Sequence, residues 1–211
     1  MNVAELTDRV RRLTGIRMPD ILSDDQILDL LNETYTELMG LTDWPFLHVE
    51  DTVNTTDSLF DTHNVLRDVQ SVISPQGVRL NQTTLNDLEQ YDEQPDSDPF
   101  AYARVSDRRY RIWPDVPNGT SFTVRGVKNP ALLLSPYDTP VFDNEFHLIL
   151  AYSASSRALS EEADDSGRVQ MYMQESAGIL DRMRMRYLNT KDTVNFQMSG
   201  KRGRRNRWRV W

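Results

Sequence analysis

The spacing of apolar residues changes twice along this 211-residue chain, and that change limits the folds open to it. Before residue 46 and after residue 140, apolar side chains recur every three or four residues, as on one face of an α-helix. Between these segments they form short runs separated by Asn, Asp, Gly and Pro, a pattern typical of β-strands and turns. The predicted order is therefore two helices, a β region, two helices and a C-terminal segment.

Two helices are predicted before Pro45. The first spans roughly 3–14 and ends at Gly15, and the second begins at Ser23, which forms a capping box with Gln26. The second must end before Pro45, because a proline disfavours helical geometry in the residue before it, here Trp44. The positions predicted to face a core are Val3, Leu6, Val10 and Leu13 in the first helix and Ile27, Leu30, Leu31, Tyr35, Leu38 and Met39 in the second.

The β region contains six short runs of β-type sequence between residue 46 and about residue 129. These runs are FLHVEDTV, DVQSVIS, GVRL, FAYARVS, RRYRIWP and SFTVRGVK. The run GVRL follows Pro75 and Gln76, which predicts the second arm of a hairpin. Residues 85–91, LNDLEQY, predict one or two helical turns.

Two more helices are predicted after Pro140, one from Asp143 or Asn144 to about Glu162 and one at about 167–189. The residues predicted to face inward are Phe146, Ile149, Leu150, Ser153, Ala154 and Ala158, then Val169, Tyr172, Met173, Leu180, Met183 and Tyr187. Helices with one apolar stripe must bury it, and packing together is the simplest way. The predicted fold class is α+β: a four-helix bundle from 1–45 and 141–190, an inserted small β domain at 46–140, and an extended basic arm at 191–211.

The C-terminal arm has a composition opposite to that of the whole chain. The chain has a net charge of −8, yet residues 193–211 contain no acid. The basic and aromatic residues of the arm are Lys201, Arg202, Arg204, Arg205, Arg207, Trp208, Arg209 and Trp211. Three interpretations are open: a terminus without function, a nucleic-acid arm that neutralises phosphates, or a docking arm for a protein. Exposed tryptophans argue against the first and the acidic body against the second, so protein docking is favoured.

The last predicted helix contains methionines interleaved with arginines. The residues proposed as subunit-interface candidates are Met171, Arg182, Arg184, Met185 and Arg186. Methionine adapts its shape and arginine binds carboxylates, so both are common at protein interfaces. Loose helix packing with an ordinary charged face explains the same pattern, and the sequence does not decide between the two.

Nothing in the sequence predicts a catalytic or metal site. The chain has no cysteine, and His48, His63 and His147 are scattered, which favours structural or surface roles. The acidic run at 161–165 lacks the ligand spacing of a calcium loop and is interpreted as a solvated helix connection. No phosphate-binding loop or nucleophile motif is present. We expect no enzymatic activity, no cofactor, no membrane association and no export signal.

Several segments resemble one known family. They are ILDLLNETYTELMGLTDWPFL, GVRLNQTTLNDLEQYDEQP, RYRIWPDVP and FTVRGVKNPALLLSPYDTPVFDNEFHLILAYSASSRALSEEAD. The features that prompt the match are the helix ending at Trp44-Pro45, the Leu80–Leu88 segment, the strand ending at Ile112-Trp113-Pro114 and the helix opening at Phe146-His147. Over about residues 1–190 the chain resembles the head-to-tail connector proteins of tailed bacteriophages, the adaptors beneath the portal.

The resemblance implies a structural adaptor of the virion, assembled in the host cytoplasm as a twelve-fold ring. Its implied partners are the portal protein, the next tail component (a stopper, nozzle or tail tube protein) and double-stranded DNA that passes without sequence-specific binding. Extended C-terminal arms of such proteins commonly reach the portal. Two alternatives remain open: a DNA-binding packaging or regulatory protein with a basic arm, and a cell-wall or tail-fibre enzyme, for which no acid/base pair is found.

Overall fold

The structure is a computed structural model of a mixed α+β chain with five α-helices and two sheets among its described residues. The residues it describes are 1–16, 21–62, 66–88, 90–91, 98–162 and 165–188. They divide into two compact units, the described residues of 1–45 and 131–211 in one and those of 46–130 in the other. Residues 131–140, expected with the β region, belong to the helical unit.

Helices α1 (Val3–Thr14) and α2 (Asp24–Gly40) begin with capping boxes. The predicted box of α2 is confirmed, with the amide of Ser23 donating to Gln26 Oε1 at 2.7 Å and the amide of Gln26 donating to Ser23 Oγ at 3.2 Å. All six apolar positions predicted to be inward in α2 are buried, whereas Leu13 of α1 is only half-buried. These caps satisfy amides that the first helical turn leaves without partners.

Helix α2 ends at Gly40, before Pro45 as predicted, and Trp44 lies in the segment after it and becomes part of the core. Its ring is fully buried, and its Nε1–H donates a 2.8 Å hydrogen bond to the carbonyl of Leu38 in the last turn of α2. The ring also meets the edge of Tyr187 at a centroid distance of 6.3 Å. A single side chain thus bonds to the last turn of α2 and contacts Tyr187 of a later helix.

Helix α4 (Leu148–Glu162) contacts α1, α2 and the last helix, α5 (Ser166–Tyr187), within the helical unit. It begins later than predicted, because Asn144–Phe146 forms a separate 3₁₀ turn and Asp143 makes no capping hydrogen bond with its side chain. Ala151, Ala154 and Ala158 of α4 are buried. Small side chains at these positions let neighbouring helices approach closely.

Helix α5 (Ser166–Tyr187) buries most of the predicted stripe, with Met173 as the exception. Its buried residues are Tyr172, Ile179 and Met183. The predicted Val169, Leu180 and Tyr187 are half-buried, whereas Met173 is 57% exposed. The prediction for Met173 was wrong because successive helical residues lie about 100° apart, so Met173 points away from the side that Tyr172 buries.

The second unit contains two sheets and one short helix, α3. Its elements are β1 (His48–Asn54), β2 (Leu59–Asp61), β3 (Leu66–Ile73), β4 (Asn81–Thr83), α3 (Leu85–Leu88), β5 (Ala101–Arg104), β6 (Arg109–Trp113) and β7 (Ser121–Lys128). One sheet has the order β1-β7-β3 and is antiparallel; the other has the order β2-β6-β5-β4, in which only the pair β4-β5 is parallel. Five predicted runs become β1, β3, β5, β6 and β7, while β2 and β4 were not predicted.

The predicted hairpin arm GVRL forms the turn but not a strand. The amide of Ser74 donates to the carbonyl of Val78 at 2.8 Å, and the amide of Leu80 donates to the carbonyl of Val72 at 2.9 Å. Between these bonds, Ile73 and Arg79 form an isolated antiparallel bridge. Strand β4 begins just afterwards, at Asn81, and pairs with β5 instead. The predicted hairpin is therefore confirmed as a short one, whereas the pairing of β4 with β5 was not predicted.

The two sheets contribute to one hydrophobic core. Its buried residues are Val53, Phe60, Leu66, Val69, Val72, Leu80, Tyr102, Tyr110, Ile112, Phe122 and Val124. Phe60 of β2 stacks on Tyr110 of β6, its register partner, at a centroid distance of 5.2 Å. Burial of these apolar side chains is the main stabilising contribution within this unit.

Candidate interaction surfaces

Both ends of α5 are held against other parts of the helical unit. Near its start, Tyr172 Oη donates to the carbonyl of Leu13 at 2.8 Å, and Arg168 Nη1 donates to the carbonyl of Thr14 at 3.1 Å. At its end, Tyr187 Oη accepts the amide of Asp143 at 3.2 Å. These bonds fix the helix, so the side chains on its outer surface occupy defined positions.

Three of the predicted interface residues form one exposed surface, which we call the Met–Arg stripe: Met171, Arg182 and Met185. Separations of 11 and 14 residues bring them to within about 60° on one side of α5. Both methionines are exposed, Met185 by 63%. Within the described part of the chain, no carboxylate forms an ion pair with Arg182. The stripe therefore offers adaptable apolar side chains beside a guanidinium that has no carboxylate partner in the described ranges.

The other two predicted interface residues are engaged within the chain. Arg186 pairs with Glu145 at 2.6 Å and with Asp143 at 3.2 Å. Arg184 lies on a different side of α5 and is 3.9 Å from Asp181, one helical turn earlier. Arg186 thus connects the end of α5 to the turn before α4, and neither residue belongs to the Met–Arg stripe.

The arm residues predicted for docking lie outside the described residues, as does His63. This applies to Lys201, Arg202, Arg204, Arg205, Arg207, Trp208, Arg209 and Trp211. Their docking role therefore stays a prediction.

A second exposed surface was not predicted. Residues 132–137 run outside any helix or strand, and Leu132, Leu134 and Tyr137 point to solvent, the last two 76% and 84% exposed. Between the two leucines, Leu133 is buried. We call Leu132, Leu134 and Tyr137 the leucine ridge. Its signal in the sequence is the apolar run LLL between Pro130 and Pro136, which is too short and too close to prolines for a helix.

Hydrogen bonds hold the leucine ridge in place. The carboxylate of Asp138 accepts the amides of Leu134 and Ser135, each at 2.8 Å. These bonds stabilise the charged form and lower the pKa of Asp138. On the α1 side, the amide of Ala4 donates to the carbonyl of Pro136 at 3.0 Å. The exposed leucines are therefore displayed by a fixed backbone.

Acidic grooves lie on both sides of the ridge. A groove of about 560 Å³ beside Leu132 is lined by Asp29, Asn32, Glu33, Thr36, Glu37 and Arg157. A groove of about 380 Å³ beside Leu134 is lined by Val3, Ala4, Thr7, Asp8, Arg11, Asp24, Asp25, Leu28 and Pro136. Each therefore contains three carboxylates and one guanidinium. The ridge is an apolar strip with negative surface on either side.

The two guanidiniums are already paired. Arg157 binds Glu33 at 3.2 Å and also binds Glu37, whose pKa is lowered by the hydrogen bond from Arg157. Arg11 binds Asp24 at 2.6 Å. Three groove carboxylates, those of Asp8, Asp25 and Asp29, have no cationic partner among the residues that the structure describes. The grooves therefore retain negative charge that a basic partner would neutralise.

The described histidines show no catalytic arrangement. His147 is buried, with Nε2 2.8 Å from the carbonyl of Phe142, and burial lowers its pKa. His48 is half-buried, and its Nε2 has no hydrogen-bond partner in the described structure. Within the described ranges, no cluster of three or more His, Asp or Glu side chains is arranged to hold a metal ion. The same ranges contain no helix long and apolar enough to span a bilayer.

The described surfaces combine exposed apolar residues on a hydrogen-bonded backbone with bordering charge, features that are common at protein-binding surfaces. The chain matches the SU10 adaptor protein family over residues 1–205, and it therefore belongs to this family of phage adaptor proteins. The resemblance to phage adaptors is thereby confirmed. No curated protein matches the chain.

Family membership makes the chain a viral structural protein with a place in the virion. It also implies interaction with portal and tail components of a phage. Structural adaptor families of this kind are generally not enzymes.

Proposed function

We propose that this protein is a head-to-tail connector that forms a twelve-fold ring under the portal, joins the capsid to the tail and provides a channel for DNA. The proposal rests on its membership of a phage adaptor family over residues 1–205. The Met–Arg stripe and the leucine ridge support it, because they are surfaces suited to protein contact. Assembly would occur in the host cytoplasm, and the product would reside at the head–tail junction.

A closed ring of identical subunits requires two different surfaces on each copy, one of which binds the other on the next copy. We propose the Met–Arg stripe as one of the two. The internally paired Arg184 and Arg186 would support α5, while Met171, Arg182 and Met185 make the contact. In this proposal α1, α2, α4 and α5 act as a four-helix bundle, the arrangement favoured by the contacts of α4 with the other three.

The arm is proposed to dock on the portal. Trp208 and Trp211 are suited to fill apolar pockets, while the six basic residues of 201–211 would pair with an acidic rim. The opposite face of the ring would bind the next tail component. We further propose an acidic channel wall, because negative charge would keep passing DNA from adhering.

The competing function is a DNA-binding packaging or regulatory protein, and the basic composition of 201–211 is the observation in its favour. Salt dependence separates the two. Phosphate contacts weaken steeply between roughly 50 and 200 mM salt, since bound counterions are released from DNA. An arm anchored by buried tryptophans would lose much less affinity over the same range.

The decisive experiment mixes the full-length protein with the cognate portal and follows the complex by light scattering and electron microscopy. A matched variant carries Trp208→Ala and Trp211→Ala. A ring on the portal with the parent chain, lost in the variant, would support both the adaptor role and portal docking. A ring with both chains would support the adaptor and remove the tryptophans from docking. No complex with the portal, together with retention of short duplex DNA, would favour the DNA-binding function.

A further inference from the structure

We infer that the basic arm docks on the leucine ridge and acidic grooves of its own chain before the protein meets a portal. The surface is the ridge of Leu132, Leu134 and Tyr137 with the grooves on either side of it. The occupant is the segment 201–211, KRGRRNRWRVW. The inference adds an internal partner for the arm and does not depend on which external partner the arm has.

The ridge has the properties of a covered surface. Three large apolar side chains lie within six residues, and Leu134 and Tyr137 are among the most exposed hydrophobic residues described. Hydrogen bonds of Asn32 and Asp138 hold this backbone so that the leucines face outward. Contiguous exposed apolar residues bordered by polar ones are typical of binding sites in soluble proteins. Fixed exposure of this kind indicates a surface that receives another segment.

The negative charge of the grooves determines which kind of segment can bind to this surface. The grooves contain Asp8, Asp25 and Asp29 without cationic partners in the described structure, so the complementary ligand is basic as well as apolar. Segment 201–211 combines these properties, with six basic residues, two tryptophans, one valine and no acid. Residues 207–210 alternate basic and apolar side chains and Trp211 follows them, which matches an apolar ridge between two acidic grooves.

The connecting chain is long enough for a contact within one molecule. The end of α5 lies beside the C-terminal end of α2, because Tyr187 contacts Trp44. The grooves extend along α2, whose 17 residues span about 25 Å. Residues 189–200 can span up to about 40 Å when extended. Because a linker of this length keeps the two sites at high effective concentration, binding within one chain is favoured over binding between chains.

In this arrangement the arm would bind the leucine ridge first and the portal afterwards. In the free protein, Trp208 and Trp211 would cover the ridge and be kept from nonspecific contacts. A portal with a more complementary acidic rim would compete for the same residues and uncover the ridge. The ridge would then be available to another component of the assembly.

The test places a photo-crosslinking amino acid, benzoylphenylalanine, at position 208 of the full-length protein, in the absence of portal. Equal amounts of ¹⁵N-labelled and unlabelled protein are mixed, irradiated at 150 mM salt and mapped by mass spectrometry. We expect crosslinks to residues 3–11, 24–37 or 132–137, joining peptides of the same isotope. The inference would be overturned by crosslinks to other surfaces or by the absence of a crosslink. It would also be overturned if a labelled peptide were joined to an unlabelled one, because that crosslink forms between two molecules. None of these outcomes bears on binding to the portal, which is tested separately.

Two variant pairs test the chemistry of the surface. Asp25→Asn with Asp29→Asn should lower the crosslink yield by roughly fivefold, the loss expected for two exposed ion pairs. The control, Glu161→Gln with Glu175→Gln, makes the same charge change on exposed positions of α4 and α5. Leu132→Ser with Leu134→Ser should also reduce the yield, whereas Val78→Ser with Val105→Ser, at exposed positions of the other unit, should not. Equal yields from surface variants and their controls would overturn the inference.

Discussion

The side-chain amide of Asn32 pairs with both backbone groups of Leu133. Asn32 Nδ2 donates to the carbonyl of Leu133 and Asn32 Oδ1 accepts its amide, each at 2.8 Å, across 101 residues of sequence. The side chain therefore satisfies both backbone groups of Leu133, as a neighbouring β-strand would, in a segment that has no regular secondary structure. Leu133 turns into the core as a result, and Leu132 and Leu134 are left facing outward.

Replacing Asn32 by Ala should lower the free energy of unfolding by about 1–3 kcal/mol, because two hydrogen bonds are lost and the Leu133 groups are left partly buried without partners. Urea unfolding monitored by tryptophan fluorescence measures the change. Thr36→Ala, one helical turn further along the exposed side of α2, should stay within about 0.5 kcal/mol of the parent. A similar loss in the two variants would show that the pairing with Leu133 has no special importance.

Protonation of His147 should couple stability to pH near neutrality. Its pKa is lowered first by burial, with a smaller contribution from the positive charge of the Met1 amino group. Between the folded pKa and the unfolded value of about 6.5, the unfolded chain binds the proton and the folded chain does not, so stability rises with pH. Above about 6.5 the ring is neutral in both states and the stability is complete.

Lowering the pH from 7.5 to 5.5 should therefore destabilise the parent more than His147→Gln, with a slope of at most about 1.4 kcal/mol per pH unit. The difference in urea unfolding free energy between the two proteins, measured at each pH, isolates this residue from other titrating groups. His48→Gln serves as a comparison at a half-buried histidine. If the parent and His147→Gln respond identically, the histidine is protonated equally in the folded and unfolded states.

Local chemistry explains which elements were predictable. The Ser23–Gln26 capping box and the Trp44-Pro45 stop are short-range signals: the box forms as predicted, and the helix ends before Pro45, although at Gly40 and not at Trp44. The alternating run SFTVRGVK likewise corresponds to β7, residue for residue. Pairing between strands distant in the sequence could not be predicted in the same way. Strand β4 pairs in parallel with β5 across an intervening helix, and no turn residues in the sequence indicate this pairing.

The interaction surfaces also differ in how far the sequence predicts them, because some depend on local spacing and others on contacts between distant residues. Met171, Arg182 and Met185 could be identified because helical spacing alone places them together. Arg186 instead forms ion pairs with Asp143 and Glu145. These pairs depend on how the end of α5 packs, and the periodicity of the sequence does not predict that packing. The leucine ridge depends on Asn32, a residue 101 positions away, so its outward leucines were not evident from the sequence.

Gly126 should be irreplaceable in the β unit. A β-carbon at this position would lie 2.2 Å from the backbone oxygen of Asp68, where strands β3 and β7 pair with an irregular register. Gly126→Ala should therefore cost several kcal/mol, on the order of 2–4, because the backbone must shift to relieve the clash. Thermal and urea unfolding measure the loss.

The matched control is Gly40→Ala at the end of α2, where a β-carbon would meet nothing within 4 Å. Alanine favours a helix over glycine by up to about 1 kcal/mol, so this variant should be as stable as the parent or more stable. Comparable destabilisation by the two substitutions would mean that the β3–β7 pair is loose enough to admit a methyl group.

Substitutions on two sides of α5 should separate ring assembly from folding. Met171→Glu with Met185→Glu places two charges on the Met–Arg stripe, where apolar contact with the next subunit is proposed, and should abolish rings on the portal. Met173→Glu introduces a charge at a comparably exposed methionine on another side of the same helix and should leave assembly intact. Circular dichroism should show unchanged folding for both, because none of the three side chains is buried. If Met173→Glu stops ring formation and the stripe variant does not, the subunit contact lies on the opposite side of α5.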